Sequence, residues 1–337
     1  MRERYAQLTL PYVRGVAQGG GRRGDAACSP DFAHPFERAF SELLSFYGVR
    51  WSYEPTSFTL SWTEDGAPRE MFTPDFYLPD QRLYIELTAM RQRLVTRKHR
   101  KLRRMRSLYP GVAVKLLYRR DYQRIARSCR PVAPATAVPG ATLQTAHEII
   151  ARVGTLAEEI AGDFAAASAP LALGVGTGGT AILAAIQADL AMRSPSIAIE
   201  TDRVAVTRFR ADGGANRIHL TRRPQAEVRG RSVLLVVDIV SSGLTLAYLT
   251  AWLRRRGAAR IDVCALLSRE SARLFETTLT YVGFLAPHEL VVGYGLSLFR
   301  EHRGLTHIAA LAAGDGPFVT PGGDPGYPPD VARRAAR

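Results

Sequence analysis

Apolar and polar positions in the second half of the chain follow two different periods. Residues 143–166 place apolar side chains three to four positions apart, a spacing that predicts an amphipathic helix. Short apolar runs follow, at 170–175, 197–209, 231–240, 260–268 and 289–296. The run at 231–240 is apolar on both faces, as is typical of parallel strands. Strands that alternate with helices predict an α/β domain over residues 143–315, with a doubly wound parallel sheet flanked by helices.

Residues 31–128 mix helical and strand patterns in another order. Residues 35–51 predict an amphipathic helix that ends near Gly48, and residues 97–110 predict a basic helix. Strand patterns occupy the rest, at 51–65, 72–90 and 112–122. These patterns predict a second α/β domain. The stretches between and outside the two domains are rich in Gly, Pro, Ala or Arg; they predict a linker at 129–142 and disorder at 1–30 and 316–337.

The composition is that of a globular chain, with 46% hydrophobic residues among 337, and this length accommodates two domains. No run of eighteen apolar residues is present, which argues against a transmembrane helix. The first residues lack the apolar core of a secretory signal. The three cysteines match no metal motif, and Cys264 in an apolar strand is expected in the core. These observations predict a cytoplasmic protein with no membrane partner.

Positive charge is concentrated in the first part of the chain. Residues 1–130 contain 24 Lys and Arg against 13 Asp and Glu, whereas residues 131–337 contain 21 against 18. The basic helix supplies much of this excess, and its cations are Arg97, Lys98, Arg100, Lys101, Arg103, Arg104 and Arg106. This density of cations is typical of a solvated surface helix, and it is equally typical of a helix that contacts the backbone of a nucleic acid.

The sharpest motif is VVDIVSSGLTL at residues 236–246, where a strand pattern runs through a short turn into a helix pattern. The N–H groups of a helix N-terminus bind anions, and Gly243 lets the backbone approach a phosphate closely. The hydroxyls of Ser242 and Thr245 can donate to phosphate oxygens. Asp238 at the strand end suits a ribose diol or a hydrated Mg²⁺. An ordinary serine-capped turn is the alternative.

Residues 143–312 resemble the type I phosphoribosyltransferases, and within them the hypoxanthine/guanine phosphoribosyltransferase branch. The resemblance rests on the motif at 236–246 with its flanks, on LGVGTGG at 173–179 and on the segment 281–311. It implies a purine-salvage transferase that binds 5-phosphoribosyl-1-pyrophosphate (PRPP) and Mg²⁺. Such an enzyme transfers phosphoribosyl to a purine-type base and releases pyrophosphate. The resemblance also implies a homodimer.

The resemblance implies a role for individual positions. Those for PRPP are Thr177, Gly178, Gly179, Asp238, Ser241, Ser242, Gly243, Leu244, Thr245 and Arg303. The catalytic positions are Asp238, Ser241 and Arg208, the last at the start of a mobile lid. Arg269 would contact the base oxygen, Tyr281 would stack on the base, and Val282 would offer backbone groups. Asp238 and His288 are the candidate metal ligands.

Several of these positions depart from the family's pattern. Val237 replaces one of two adjacent acids, Ser241 replaces the acid thought to handle a base proton, and His288 replaces a metal-binding acid. Serine supplies no useful acidity. Two functions remain open: an active transferase of the hypoxanthine/guanine type or with altered base specificity, and a PRPP- or nucleotide-binding regulatory domain.

Residues 33–125 resemble the PD-(D/E)xK nucleases in the order helix, strand, Pro-Asp, Glu-containing strand, helix, strand. In that family carboxylates hold Mg²⁺ and activate water; Glu37, Asp75 and Glu86 match their positions. The family's lysine is missing after Glu86, and Lys98 on the next helix is the candidate replacement. The resemblance implies a restriction-endonuclease-like α/β domain that acts on nucleic acid or, if degenerate, only binds it.

Overall fold

The computed structural model describes residues 12–13, 30–88, 96–129, 138–165, 170–207, 218–296 and 302–311. The chain divides into two compact units, with the boundary between Arg124 and Ile125. Most of the predicted linker, most of residues 1–30 and all of residues 316–337 lie outside the described residues, so disorder there stays a prediction. The prediction fails at Tyr12 and Val13, which form a short strand paired with residues 56–57. No helix in the described part is long and apolar enough to cross a membrane.

The N-terminal unit combines helices with short, mostly antiparallel strands. Its helices are α1 (Pro35–Phe46), α2 (Thr96–Leu108) and α3 (Arg119–Cys129), the last of which contains the unit boundary. Its strands are β1 (Tyr12–Val13), β2 (Ser52–Tyr53), β3 (Thr56–Trp62), β4 (Pro68–Phe72), β5 (Phe76–Leu78), β6 (Leu83–Thr88) and β7 (Ala113–Tyr118). They form two sheets, of order β1-β3-β4 and β2-β5-β6-β7. Only β6 and β7 pair in parallel, and α2 connects them.

The bounds of α1, the helix predicted at residues 35–51, are set by the residues at its two ends. His34 accepts a hydrogen bond from the backbone of the first turn, and Glu37 reaches back to the His34 N–H, which together make a capping box. Phe40 and Leu44 are fully buried on its inner face. The helix ends before Gly48, whose φ of 65° is readily adopted only by glycine.

The C-terminal unit is built on a six-stranded sheet. Its helices are α4 (Ala146–Phe164), α5 (Gly176–Arg193) and α6 (Leu244–Arg255). Its strands are β8 (Pro139–Gln144), β9 (Leu171–Val175), β10 (Glu200–Thr207), β11 (His219–Arg222), β12 (Ser232–Val240), β13 (Arg260–Ser268), β14 (Tyr281–Leu285), β15 (Val291–Gly293) and β16 (Ile308–Leu311). The sheet has the order β11-β10-β9-β12-β13-β14, and all pairs are parallel except β11 with β10. The predicted parallel α/β architecture is confirmed.

Both faces of this sheet are covered, which explains the continuous apolar runs. On one face Leu234 and Val236 of β12 pack in a core with α4 and α5, and the fully buried Cys264 belongs to it as predicted. On the other face Val233 and Leu235 pack against α6.

Two predicted boundaries need correction. The run at 289–296 is not a strand of the parallel sheet; only Val291–Gly293 is extended, in a separate sheet of order β15-β16-β8. Gly293 and Gly295 adopt positive φ angles of 101° and 74°, so the extended backbone ends there. Residues 139–142, expected in the linker, form most of β8 in that same small sheet.

Candidate active site

A cavity of about 560 Å³ lies where β9, β10 and β12 end in the C-terminal unit. The carboxyl ends of parallel strands are the usual ligand-binding edge of such a sheet. The walls come from the first residues of α5, the turn between β12 and α6, Arg269 after β13, and the segment 290–296. The cavity is therefore lined by the starts of two helices, one carboxylate, one guanidinium and several apolar side chains.

The turn between β12 and α6 forms the most polar wall. Ser241, Ser242, Gly243 and Thr245 line the cavity, whereas Leu244 is fully buried and offers it no side chain. Gly243 has a φ of 81°, and a Cβ added there would lie 2.8 Å from the Thr277 hydroxyl. The N-cap residue Gly243 has no side chain to cap α6, and the Leu244 N–H donates to the Ser242 hydroxyl at 3.4 Å. The other N–H groups of the first turn keep their capacity to bind an anion.

The first turn of α5 approaches the end of β12 very closely. Thr177 lines the cavity, but Gly178 and Gly179 do not. A Cβ added to Gly178 would lie 2.4 Å from an Asp238 carboxylate oxygen, and one added to Gly179 would lie 2.2 Å from the Val236 carbonyl oxygen. These two glycines therefore serve the packing of α5 on β12, and through it the position of Asp238.

Asp238 supplies the single carboxylate among the residues that line this cavity. One of its oxygens accepts a hydrogen bond of 2.8 Å from the backbone N–H of Ile239. The neighbouring Val237 is nearly buried, with 7% exposure, and it lines the cavity with an apolar surface. The cavity thus carries one negative group at the end of β12.

Arg269 lies at the far side of the same space and is 7% exposed. Its guanidinium donates to the Pro287 carbonyl at 2.8 Å and to the Glu289 carbonyl at 2.7 Å, and a longer contact of 3.4 Å reaches the Ser241 hydroxyl. Burial lowers the pKa of this guanidinium, and nearby Glu289 opposes that effect. Arginine nevertheless stays protonated in proteins. Arg269 therefore holds segment 287–289 beside the β12–α6 turn.

Sequence comparison decides the family of this unit. Residues 140–297 match the phosphoribosyl transferase domain family. The hypoxanthine-guanine phosphoribosyltransferase of Mycobacterium avium is 32% identical over 199 residues, which is 56% of this chain and 95% of that protein. The chain belongs to the phosphoribosyltransferase family.

A second relative agrees with this assignment. The hypoxanthine-guanine phosphoribosyltransferase of Bacillus subtilis is 31% identical over 166 residues, 49% of this chain and 89% of that protein. A crystal structure of such an enzyme from Bacillus anthracis has 24% identity and a TM-score of 0.47, with 52% of this chain and all of that chain covered. The family match begins at residue 140, so it does not extend to the N-terminal unit.

Two predicted base-binding residues of the phosphoribosyltransferase unit are wrong. Tyr281 is 3% exposed, packs in the core beside α4 and donates a hydrogen bond of 2.7 Å to Asp163. The Val282 carbonyl accepts from Arg152 of α4 at 2.7 Å. Both residues begin β14, so they lie at the amino end of a parallel strand and away from the cavity.

The sequence reasoning missed the residues that form the apolar wall. Leu290, Val291 and Leu296 line the cavity opposite the polar turn. They follow Pro287, whose carbonyl is held by Arg269, and this hydrogen bond fixes where the chain turns back. The apolar run at 289–296 was the available signal, but it was interpreted as a sheet strand.

Two other predicted positions, His288 and Arg303, are not brought to the cavity. His288 is exposed, and its Nδ1 lies 2.9 Å from the Ser271 hydroxyl. Neither His288 nor Arg303 is among the lining residues, and no group of three metal-ligating side chains occurs in the described part of the chain. The predicted pairing of His288 with Asp238 on one metal therefore finds no support. Arg208 lies outside the described residues.

The N-terminal unit brings together three of its four predicted site residues. The Lys98 ammonium lies 2.6 Å from a Glu86 oxygen and donates to the Leu87 carbonyl at 2.8 Å. The Leu87 N–H donates to Asp75 at 2.6 Å. Lys98 of α2 thus lies against Glu86 and Leu87 of β6. We call Asp75, Glu86 and Lys98 the carboxylate cluster.

Charge and burial strongly perturb this cluster. The pKa of Asp75 is raised to about 7, mainly by burial and then by the charge of the neighbouring Glu86, while the Leu87 N–H and Lys98 act against this rise. The pKa of Glu86 is also raised by burial, against the pull of Lys98. Glu86 Oε2 is buried without a hydrogen-bond partner. Such an atom is suited to receive a cation.

Glu37 does not complete a third ligand. Its carboxylate closes the α1 capping box and accepts a hydrogen bond of 2.7 Å from the Tyr53 hydroxyl. Its charge still contributes to the raised pKa of Asp75. The prediction that three carboxylates gather on one metal is therefore wrong for the described residues, because Glu37 is used in capping and in holding Tyr53.

Proposed function

We propose that the C-terminal unit transfers the phosphoribosyl group of PRPP to a purine-type base and releases pyrophosphate, with hypoxanthine or guanine as the expected bases. The observation that carries the proposal is the single cavity that joins the β12–α6 turn, Asp238, Arg269 and an apolar wall. Two hypoxanthine-guanine phosphoribosyltransferases, each matched over most of its length by this chain, support the choice of base.

The β12–α6 turn is the proposed site of the 5′-phosphate. The α6 N-terminus supplies N–H donors, and Ser241 and Thr245 add hydroxyl groups that line the cavity. This group lies far from the reacting carbon, so its binding energy positions the ribose for attack. The start of α5 at Thr177 is the proposed wall for the pyrophosphate.

Mg²⁺ is the proposed cofactor, and the donor set fits a metal that is held largely by the substrate. Magnesium commonly takes one or two protein carboxylates together with phosphate oxygens and water. Asp238 is the carboxylate available on the cavity wall. When bound, the ion would neutralise charge that develops on the leaving pyrophosphate. Asp238 would also accept hydrogen bonds from the ribose hydroxyls.

The base is proposed to bind between Arg269 and the apolar wall of Leu290 and Val291. Arg269 offers N–H donors in the plane of a carbonyl-bearing base, and its hydrogen bonds to the chain at 287 and 289 fix its direction. Ser241 supplies no general base at neutral pH. The proposed catalysis therefore rests on positioning and on stabilising the leaving group.

The test is pyrophosphate release by the full chain with PRPP, Mg²⁺ and hypoxanthine, guanine, adenine or xanthine in turn. Turnover with hypoxanthine or guanine is expected, and Asp238→Asn should lower it at least tenfold. Asp80→Asn, an equivalent change at an exposed ion pair of the N-terminal unit, should leave it unchanged. PRPP binding without pyrophosphate release for any base would instead establish the regulatory-domain alternative.

For the N-terminal unit we propose a PD-(D/E)xK-nuclease-like function, the metal-dependent hydrolysis of phosphodiester bonds in nucleic acid. The carboxylate cluster supports it, because a lysine from α2 joins two carboxylates at one end of β6. Two carboxylates and water suffice for a hydrated Mg²⁺. Lys98 would then stabilise charge on the attacked phosphate.

Cleavage of labelled single-stranded and duplex DNA and RNA in Mg²⁺ tests this second proposal. Cleavage that is lost in Glu86→Gln and retained in Asp80→Asn is the expected result. If the nucleic acid stays intact in every reaction, the carboxylate cluster does not have the proposed hydrolytic activity. Neither result affects the transferase proposal, which is read out by pyrophosphate.

A further inference from the structure

A second cavity, of about 650 Å³, opens on the N-terminal unit between α2 and the β3–β4 hairpin. One face of α2 lines it through Arg97, Arg100, Lys101 and Arg104. The hairpin adds Arg69 and Glu70 from β4, and Ser61 and Trp62 from β3. We call this space the basic cavity. Its volume is in the range of sites that hold small organic ligands or nucleotides.

The charge of the basic cavity is far from balanced. Five of its lining residues are cations and Glu70 is its one carboxylate. Glu70 lies 3.9 Å from Arg100 and from Lys101, which is at the limit of an ion pair. Within the described part of the chain, the side chains of Arg97 and Arg69 make no hydrogen bond or ion pair. A concave surface with uncompensated cations attracts a polyanion.

The cavity is also held in shape by its own cations. Lys101 donates to the Met71 carbonyl at 3.0 Å, and the Arg104 guanidinium donates to the Leu60 carbonyl. These hydrogen bonds fix α2 against the hairpin strands. Arg97 and Arg100 remain directed to solvent, with the Arg100 side chain 66% exposed. Two anchored and two exposed cations therefore follow one helix face over about 10 Å.

Trp62 decides between kinds of polyanion. It lies near the end of the hairpin, where its ring lines the same cavity as the cations and is only partly exposed. An aromatic ring beside cations that follow a backbone is the arrangement that binds single strands, because an unpaired base stacks on the ring. In a duplex the bases are already stacked on each other.

We propose that the basic cavity binds single-stranded nucleic acid, with its phosphates on Arg97, Arg100 and Arg69 and a base stacked on Trp62. Lys98 follows Arg97 directly in α2 but turns inward to Glu86. A strand bound in the cavity would thus run along the helix that also carries Lys98, the lysine of the carboxylate cluster. The binding proposal does not depend on cleavage, so it can succeed or fail separately from the nuclease-like function.

The test is fluorescence polarisation of the full chain with a labelled single-stranded oligonucleotide and with the matching duplex. EDTA is present, so that no metal-dependent cleavage contributes. The double variant Arg97→Gln/Arg100→Gln should weaken single-strand binding. It should also reduce the slope of log affinity against log salt by about 1.4, since each lost phosphate contact on a single strand removes about 0.7.

Arg103→Gln is the matched control. Arg103 is an exposed cation of the same helix that does not line the cavity, and the sequence alone had grouped it with the others. Its replacement should leave the salt slope unchanged. Trp62→Leu should weaken single-strand binding about tenfold and leave duplex binding nearly unaltered.

Two results would overturn the proposal. In the first, Arg97→Gln/Arg100→Gln binds like the wild type or like Arg103→Gln, which would show that the cavity is not the site. In the second, the duplex binds at least as tightly as the single strand and Trp62→Leu has no effect. Because Arg97 and Arg100 are exposed, their variants are expected to fold, and the first result is decisive even if Trp62→Leu is unstable.

Discussion

The two units both collect polar groups at the ends of parallel strands, but they build the sites from different groups. The transferase cavity relies largely on backbone: a helix start whose N-cap is a glycine, glycines at close contacts and a single carboxylate. The carboxylate cluster relies on side chains, two acids and one lysine, of which Glu86 is buried. The first site suits a ligand that brings its own negative charge, whereas the second suits a cation.

This difference also explains how each site depends on its surroundings. A backbone site is lost when packing changes, because the N–H groups move with the helix. A buried carboxylate site depends on pH, because the acids compete for protons. Each contrast can be tested by one substitution with a matched control.

The largest expected effect concerns Gly178. In Gly178→Ala the added Cβ would meet the Asp238 carboxylate at 2.4 Å, so that side chain must move. We expect transferase kcat/KM to fall about 100-fold, since displacements near 1 Å cost that much. Gly162→Ala is the control, because a Cβ at that helical glycine meets nothing within 4 Å. Equal activity of the two variants would show that the close contact is unimportant.

The next effect concerns Asp75 and the pH dependence of stability. Its raised pKa means that the folded state keeps a proton which the unfolded state releases near pH 4. The free energy of unfolding should therefore fall as the pH rises from about 4 to 7. Above pH 7 the ionisation of Asp75 should change it little further. The change should be about 2 kcal/mol, because each pKa unit corresponds to about 1.4 kcal/mol and water reaches part of the side chain.

Asp75→Asn should remove this dependence and raise stability at pH 7.5 relative to the wild type. Denaturant unfolding at several pH values measures it, with Asp80→Asn as the control. A wild-type stability that rises between pH 5 and 7, and is unaltered by Asp75→Asn, would contradict the assignment.

The smallest effect concerns Arg269. In Arg269→Lys the hydrogen bonds to the carbonyls of Pro287 and Glu289 cannot both be kept, because an ammonium group lacks the planar fork. We expect the KM of the base to rise about tenfold and the KM of PRPP to change less. Arg254→Lys, an exposed change in the last turn of α6, should alter neither. If the KM of PRPP rises more than the KM of the base, Arg269 does not serve mainly to bind the base.

The sequence predicted the β12–α6 turn because every requirement there is local. A strand, an acid, two serines, a glycine and a helix follow one another within eleven residues. The parallel sheet was also predictable, since burial on both faces leaves continuous apolar runs. The same logic makes Lys98 a candidate, because the strand before it lacks a lysine and the next element is basic.

The errors arose where distant segments had to be placed against each other. Tyr281 looks like a base-stacking aromatic in sequence, but it is buried in the core beside α4, where its hydroxyl donates to Asp163. Leu290 and Val291 reach the cavity only because Arg269 holds the chain at Pro287. Glu37 looked like a metal ligand, and its capping role depends on His34 and Tyr53. No local pattern reports such contacts.

The most direct test of the central claim is a calorimetric titration of the full chain with PRPP in MgCl₂. Thr245→Val removes a hydroxyl that lines the cavity, whereas Thr250→Val makes the same change one and a half turns further along α6, where the hydroxyl donates only to the Ala247 carbonyl. The account predicts that the wild type and Thr250→Val bind PRPP equally and that Thr245→Val binds about tenfold more weakly, the loss of one hydrogen bond to a charged group. Absence of PRPP binding by the wild type, or equal binding by both variants, would contradict the claim that the β12–α6 turn holds the phosphate.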